Sequence, residues 1–192
     1  MNTKQSILKT AKTTIKLESK AINNLSELLT EDFADAVELI YQSKGRVIIT
    51  GIGKSAIIAN KIVATLNSTG TPAIFMHAAD AIHGDLGLIL EDDVVICISK
   101  SGNTPEIKVL VPLIKNAKNK MIAITGNKES FLGLQADFIL NAYVEQEACP
   151  NNLAPTTSTT AQLVMGDALA VCLLELRGFS SKDFAKYHPG GA

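Results

Sequence analysis

Five short apolar runs, separated by segments long enough for helices, constrain the fold of this chain more than any other feature. The runs occupy residues 46–50, 72–76, 93–99, 121–125 and 137–141. Each run is continuous rather than alternating, which is typical of strands buried on both faces of a parallel sheet. The helix-length segments between them fall at about 54–69, 80–90, 105–118 and 129–136. This alternation predicts an α/β fold, since parallel strands need crossover connections.

Two further helices are predicted before the first strand. Apolar residues recur at spacings of three, four and seven through residues 4–29, which indicates an amphipathic helix. A second helix is expected at about 31–43, with Thr30 as its N-cap. Both helices are expected to belong to the same unit as the rest of the chain, so that residues 1–44 accompany a domain at 45–192.

The end of the chain is predicted to be helical as well. Residues 142–157 form a loop rich in Asn, Pro and Thr, and a long helix over 158–177 is closed by Gly178. A short helix follows at 181–187. The expected architecture is therefore a doubly wound, five-stranded parallel sheet of flavodoxin-like order 2-1-3-4-5, with two extra N-terminal helices.

Composition excludes several classes of protein. Of the 192 residues, 46% are apolar and 19% are charged, which is typical of a chain with a well-formed core. The net charge of −1 and the absence of Trp predict no nucleic-acid partner. No apolar run approaches the 18 residues of a membrane span, so no membrane partner is expected. Three widely spaced cysteines without a CxxC pair favour a reducing cytoplasm.

Two strand-to-helix loops carry the glycines and hydroxyls that a phosphate site needs. They are TGIGKS at 50–55, after the first strand, and SKSGNT at 99–104, after the third. Glycines let the backbone approach a ligand, and the following helix presents free N–H groups. In the expected strand order both loops line one crevice at the carboxyl ends of neighbouring strands. The residues predicted to bind a phosphate there are Gly53, Ser55, Ser99, Ser101, Gly102, Asn103 and Thr104. Simple capping and turn formation is the alternative for either loop alone.

Three other interpretations fit the sequence less well. The GKS at 53–55 resembles the end of a nucleotide-binding P-loop, but the first glycine of that motif would fall on Ile48. The GIGKSA at 51–56 fits the dinucleotide pattern, but His77 stands where an acidic residue is expected, so an NAD site is a weak alternative. A serine hydrolase is excluded because the chain has no G-x-S-x-G elbow.

Five ionisable residues, which lie in or after these loops, in the 142–157 loop or near glycines, are candidates for chemistry. Lys54 lies in the first loop, where it can neutralise a phosphate or an enolate, and Glu106 follows the second loop in the first turn of a helix. Glu147 has apolar neighbours in sequence, which predicts a raised pKa and a role as a base. His83 and His188 are the two histidines near glycines. An ordinary solvated or structural role is the alternative for each, and no metal site is predicted because the histidine spacing does not fit one.

Several segments together resemble one known family. They are the two loops, HGDLG at 83–87, EACPNNLAPTTSTTA at 147–161 and DFAKYHPGGA at 183–192. Over about residues 35–192 the chain resembles the sugar isomerase (SIS) domain family, and within it the D-arabinose 5-phosphate isomerase branch. The resemblance implies interconversion of D-ribulose 5-phosphate and D-arabinose 5-phosphate, with no cofactor. In that branch the product feeds the synthesis of Kdo, an acidic sugar of lipopolysaccharide.

Carried over residue by residue, the resemblance implies two sets of functional groups. The phosphate-binding hydroxyls fall on Ser55, Ser99, Ser101 and Thr104, and the ionisable groups on Lys54, His83, Glu106, Glu147 and His188. We expect the loops to anchor the phosphate while Glu147, with Glu106 as the fallback, moves a proton between C1 and C2 through an enediol. A histidine opens the sugar ring or polarises the carbonyl, and Lys54 stabilises the oxyanion.

The resemblance leaves two alternatives and two questions of organisation. Another SIS isomerase acting on a hexulose 6-phosphate, or a sugar-phosphate sensor without a base, would keep the same loops. Long relatives continue past HPGGA into a pair of CBS domains, so the chain is either a naturally short member or a truncated one. The N-terminal amphipathic helix has no expected partner in a complete doubly wound sheet, which predicts a homo-oligomer; the resemblance implies a tetramer.

Overall fold

Five parallel strands form one sheet in the computed structural model, which describes residues 3–188 and 190. The strands are β1 (Val47–Gly51), β2 (Ala73–His77), β3 (Val94–Ser99), β4 (Met121–Thr125) and β5 (Phe138–Asn141). Their spatial order is β2-β1-β3-β4-β5. The predicted doubly wound order 2-1-3-4-5 is confirmed, and it places β1 and β3 side by side at the point where the winding reverses.

Helices cover both faces of this sheet. They are α1 (Thr3–Leu25), α2 (Glu31–Gln42), α3 (Lys54–Ser68), α4 (Ala78–Ala81), α5 (Pro105–Asn116), α6 (Phe131–Gln135), α7 (Thr157–Leu176) and α8 (Ser181–Tyr187). Two short 3-10 helices, Ser26–Leu28 and Asp85–Leu88, lie after α1 and α4. The predicted helices and strands are therefore present, with two differences described below.

Two apolar layers explain why the strands are continuously apolar. Alternate residues of a strand point to opposite faces of the sheet. In β1, Ile49 packs in the layer that contains α2, α3 and α7, whereas Ile48 packs in the layer that contains α4 and α5. In β3, Ile96 and Val95 divide in the same way. All four side chains are fully buried, which confirms strands covered on both faces.

The predicted helix at 80–90 is wrong. The segment contains one turn of α-helix at Ala78–Ala81 and a separate 3-10 helix at Asp85–Leu88. Gly84, between them, has a φ of 131°, which lies in the left-handed half of backbone space and ends a right-handed helix. The N-cap expected at Thr30 is also incomplete, because its side chain makes no capping hydrogen bond to α2.

The N-terminal helix has a partner within the chain, contrary to the prediction, but only for its second half. The C-terminal half of α1 packs against α7, with Leu25 buried and Ala21 against the core. The N-terminal half projects apolar side chains into solvent: Ile7, Leu8 and Ile15 are 62%, 59% and 64% exposed. The expectation of an unpartnered apolar face therefore applies to the first half of α1.

The longest core helix, α7, lies across the layer that also contains α2 and α3. By length and composition alone it would pass as a membrane span. Its apolar residues Ala161, Met165, Leu169 and Leu173 are buried in the core of this domain, which is the packing of an internal helix. Gly178 follows its last turn with a φ of 59° and donates its N–H to the carbonyl of Glu175, which confirms the predicted end.

The turn that follows α7 lies at the end of the sheet where the strands begin. Arg177 Nε donates to Thr71 Oγ1 at 3.1 Å, and Thr71 lies just before β2. Since the strands are parallel, all of them begin at this end of the sheet. The two predicted phosphate loops emerge at the opposite end, where the strands finish. Of the HPGGA motif, residues 189, 191 and 192 lie outside the described part of the chain.

Candidate active site

The two predicted phosphate loops meet at the carboxyl ends of β1 and β3, where Gly51 is paired with Ile98. A pocket of about 220 Å³ lies between the loops. Five residues predicted for the phosphate site or for catalysis line it: Lys54, Ser55, Ser99, Ser101 and Thr104. The loops therefore form one site, as the strand order required.

A third wall of the pocket comes from the start of α7. Pro155, Ser158, Thr159 and Gln162 line this side. Three helices, α3, α5 and α7, consequently begin at the pocket. Helix N-termini carry partial positive charge and unpaired N–H groups, so their convergence creates a site for an anion.

The first loop turns into α3 through Gly53. This residue has a φ of 58° at the N-cap position, a conformation that glycine adopts without strain. The turn places Lys54 and Ser55 in the first turn of α3, and Ser55 Oγ donates to Gln162 Oε1 at 3.2 Å. This hydrogen bond joins the first loop to the α7 wall.

The second loop is held by its own hydrogen bonds. Gly102, with a φ of 65°, donates its N–H to Ser99 Oγ at 3.1 Å and packs so closely on Ser130 that a side chain would clash. Asn103, predicted to bind phosphate, is not among the residues that line the pocket. Its Oδ1 accepts from the N–H of Phe131 at 3.1 Å, because that donor at the start of α6 needs a partner. Gly102 thus determines the shape of the second loop, while Ser99, Lys100, Ser101 and Thr104 line the pocket.

The hydroxyl of Thr104 is available to a ligand. Its Oγ1 is buried yet has no hydrogen-bond partner among the described residues. It occupies the N-cap of α5 without making the usual capping bond, and it lines the pocket. A buried hydroxyl without a partner is costly, so this atom is suited to a polar ligand.

Glu147 lies behind the pocket wall rather than on it. Its side chain has no solvent exposure, and Oε1 accepts from Lys100 Nζ at 2.6 Å and from Ser158 Oγ at 2.5 Å. Its Oε2 accepts from the backbone N–H of Thr156 at 2.8 Å and that of Ser158 at 3.1 Å. The second loop and the start of α7 are thereby tied to one carboxylate.

The raised pKa predicted for Glu147 is wrong. Burial by itself would raise the pKa, but hydrogen bonds from Lys100, Ser158 and Thr156 outweigh it and lower the pKa of Glu147 to about 2. The local apolar sequence does not describe the environment, because Lys100 arrives from a loop 47 positions earlier in the chain. A carboxylate so strongly stabilised in its charged form is a weak base.

The remaining predicted groups are dispersed around the pocket or away from it. Glu106 is half-buried in the first turn of α5, two positions after Thr104, but does not line the pocket. His83 is exposed between α4 and the following 3-10 helix. His188 stacks on Phe184, with ring centroids 3.8 Å apart, at the opposite edge of the sheet. The structure therefore brings Lys54 to the phosphate loops and leaves both histidines outside the pocket of their own chain.

Within residues 3–188 and 190, no group of three or more His, Cys, Asp or Glu side chains is arranged to hold a metal ion. The polar lining of the pocket consists of hydroxyls, one amide and two ammonium groups. These are hydrogen-bond donors or mixed donor–acceptor groups, which suit an oxyanion better than a cation.

A model of the SIS domain matches residues 39–172 of the chain. The chain belongs to the SIS domain family. Among solved structures, the Escherichia coli CFT073 protein c3406 in complex with arabinose 5-phosphate is 40% identical to this SIS domain. The two superpose with a TM-score of 0.94 over 98% of this chain and 100% of that one.

Two curated relatives are similar over nearly the whole SIS domain. Arabinose 5-phosphate isomerase KdsD of Pseudomonas aeruginosa is 53% identical over 194 positions, covering 100% of this chain and 60% of that protein. The KdsD of Yersinia pestis is 51% identical over 181 positions, covering 94% of this chain and 55% of that protein. The chain thus spans little more than half the length of these relatives.

Lys100 and the α7 wall of the SIS domain are parts of the pocket that were not predicted from the sequence. Lys100 stands inside the second loop, and Ser158 and Thr159 belong to a run of hydroxyl residues at the start of a predicted helix. Such a run at a helix N-terminus is itself an anion-binding signal. What the sequence does not indicate is that a helix following the edge strand β5 begins beside loops at the centre of the sheet.

The lowered pKa of Glu147 predicts a specific dependence of stability on pH. A carboxyl whose pKa falls from 4.5 to about 2 on folding stabilises the fold by about 3 kcal/mol above pH 4.5, and this stabilisation is lost as pH falls toward 2. We therefore expect the difference in unfolding free energy between the wild type and Glu147→Gln to be greatest at neutral pH. It should shrink by about that amount between pH 4.5 and 2, as measured by denaturant titration.

Glu145→Gln is the control, because the side chain of Glu145 is exposed and only pairs with Lys20 at the surface. That variant should follow the wild type at every pH. If the unfolding free energies of the wild type and Glu147→Gln differed by the same amount at every acidic pH, the ion pair between Glu147 and Lys100 would be contradicted.

Proposed function

We propose that this SIS domain interconverts D-arabinose 5-phosphate and D-ribulose 5-phosphate without a cofactor. The observation that carries the proposal is the pocket in which three helix N-termini, the hydroxyls of two loops and two lysines converge. The similarity to KdsD proteins and to the c3406 protein in complex with arabinose 5-phosphate supports the choice of sugar phosphate. Supply of Kdo for lipopolysaccharide and a cytoplasmic location belong to the same proposal; the free thiols at Cys97, Cys149 and Cys172 suit a reducing compartment.

The proposed chemistry divides between an anchor and a proton shuttle. Binding the phosphate in the loops orients the reacting carbons, so remote binding energy contributes to the barrier reduction. Lys54, at the first position of α3 and exposed to the pocket, stabilises the enediol oxygen. Glu147 has its oxygens occupied by other donors, whereas the Glu106 carboxylate forms no hydrogen bond or ion pair within residues 3–188. We therefore assign the proton transfer between C1 and C2 to Glu106, which lies two positions after Thr104 and outside the pocket proposed for the phosphate, so that it acts on sugar carbons that extend beyond that pocket.

The free hydroxyl of Thr104 generates a test of the phosphate site. Thr104→Val keeps the shape of the side chain and removes the donor, so we expect inorganic phosphate to bind about tenfold more weakly in calorimetric titration. The unfolding free energy should not fall, because the hydroxyl has no partner to lose among the described residues.

Thr157→Val is the matched control. Thr157 Oγ1 is likewise buried without a partner in the described part of the chain, but Thr157 does not line the pocket. Its variant should bind phosphate as the wild type does. Equal losses in the two variants would place the phosphate elsewhere.

The isomerase itself is tested by incubating the protein with arabinose 5-phosphate and measuring ketose formation and hydrogen exchange in deuterated water. Glu106→Gln should reduce kcat by at least ~10²-fold with little change in KM, and exchange should fall in parallel. Glu147→Gln should retain more of the exchange than Glu106→Gln.

Three outcomes would revise the proposal in different ways. Loss of exchange in Glu147→Gln but not in Glu106→Gln would make Glu147 the base. Turnover of a hexulose 6-phosphate in place of the pentose would change the substrate. Phosphate binding without turnover of either sugar would favour a sugar-phosphate sensor.

We also propose that the chain forms a homo-oligomer, a tetramer as the resemblance implies. The support is the apolar N-terminal half of α1, whose Ile7, Leu8 and Ile15 are exposed. The position of His188 also fits, because a catalytic role for a residue at the far edge of its own sheet requires the pocket of another copy.

Light scattering tests the assembly. The double change Ile7→Asp and Ile15→Asp should lower the measured mass, because burying two carboxylates in an apolar interface is unfavourable. Leu134→Asp, at a residue 65% exposed on α6, should leave the mass unchanged. A monomeric wild type with full activity would refute both the oligomer and the role of His188.

A further inference from the structure

Lys100 lies where the second loop faces the pocket. It follows Ser99 at the end of β3, and its backbone carbonyl accepts from the N–H of Gly126 at 3.0 Å, which fixes the main chain. The side chain lines the pocket together with Ser101 and Thr104, and it is 47% exposed. The ammonium group is thus in contact with both the protein interior and the space open to a ligand.

The ammonium has more donors than its one partner uses. Lysine carries three N–H donors and no acceptor. Lys100 Nζ donates to Glu147 Oε1 at 2.6 Å, and no other hydrogen bond from this atom is formed within residues 3–188. Two donors therefore remain at a half-exposed position on the pocket wall.

Glu147 does not depend on Lys100 alone. Its oxygens also accept from Ser158 Oγ and from the backbone N–H groups of Ser158 and Thr156. These three neutral donors remain in place if the ammonium shifts toward a second anion. Lys100 is therefore able to share its charge between the buried carboxylate and a ligand without leaving the carboxylate unsatisfied.

The charges around the pocket explain why Lys100 would interact with both Glu147 and a ligand. A phosphate monoester carries between one and two negative charges at neutral pH, and the buried Glu147 carboxylate behind the same wall repels it. Lys100 cancels that repulsion, and its position at the lining lets it attract the phosphate directly. Lys54, the other lysine of the described lining, lies across the pocket at the start of α3.

We propose that Lys100 is a substrate-binding residue that donates to the phosphate group of the ligand while it remains paired with Glu147. The proposal rests on the proposed function only in taking a phosphorylated sugar as that ligand. It distinguishes Lys100 from a lysine that serves the ion pair alone. Lys61 is a lysine of that second kind, with a side chain 46% exposed and paired with Asp167 at the surface between α3 and α7.

Calorimetric titration with inorganic phosphate tests the proposal through four proteins. They are the wild type, Lys100→Met, Glu147→Gln and the double variant Lys100→Met/Glu147→Gln. The comparison that decides is between Glu147→Gln and the double variant, because neither contains a buried charge at position 147. We expect loss of Lys100 in that background to weaken phosphate binding at least about tenfold, as for a charge-assisted hydrogen bond.

Equal phosphate affinity in Glu147→Gln and the double variant would overturn the proposal, since Lys100 would then act only by neutralising Glu147. Lys61→Met is the control for loss of a half-exposed, ion-paired lysine and should bind phosphate as the wild type does. If Lys100→Met fails to fold because Glu147 has lost its ammonium partner, the comparison between Glu147→Gln and the double variant still tests the proposal. The titration requires no turnover. A failed isomerase assay would therefore reject the proposed function but would not change the conclusion about phosphate binding by Lys100.

Discussion

The buried carboxylate of Glu147 is the interaction on which the pocket depends. Burying a charge is costly unless donors surround it, and here an ammonium, two hydroxyls and two backbone N–H groups do so. These donors come from the loop after β3 and from the start of α7, which are far apart in sequence. Without this link, α7 would still cover the sheet through its apolar face and would still bond Ser55 through Gln162, but its N-terminus would lose its tie to the loop after β3.

The fixed position of α7 determines the electrostatics of the site. The described pocket lining contains no arginine; Arg46 is paired with Asp93 and Arg177 with Thr71, both away from the loops. Positive potential comes instead from three helix N-termini and two lysines. Helix termini are rigid, since each is anchored by a helix packed on the sheet, and they contribute donors with little loss of side-chain entropy. The positive potential of the pocket therefore comes from backbone geometry as much as from side chains.

Regular features of the fold were predictable because their signals are local. Continuous apolar runs identify strands such as β1 and β3 without information from the rest of the chain. Strand-to-helix loops rich in glycine mark the end of the sheet where the strands finish. The wrong prediction at 80–90 has a local cause as well: the length of the segment suggested one helix, but Gly84 adopts a φ that no right-handed helix contains. The contact that Asn103 makes was not predictable in this way, since the N–H of Phe131 that it caps belongs to another helix.

Residue patterns were sufficient to predict the sheet, its order, the meeting of the two glycine-containing loops at one pocket and five of the residues that line it. The third wall, the place of Lys100 and the protonation state of Glu147 emerged only from contacts between distant parts of the chain. The physical reason is that a pKa and a pocket depend on groups within a few ångströms in space, whatever their separation along the chain. The residues beside Glu147 in sequence are apolar and suggest a raised pKa, whereas Lys100, 47 positions away, lies 2.6 Å from it and reverses the sign.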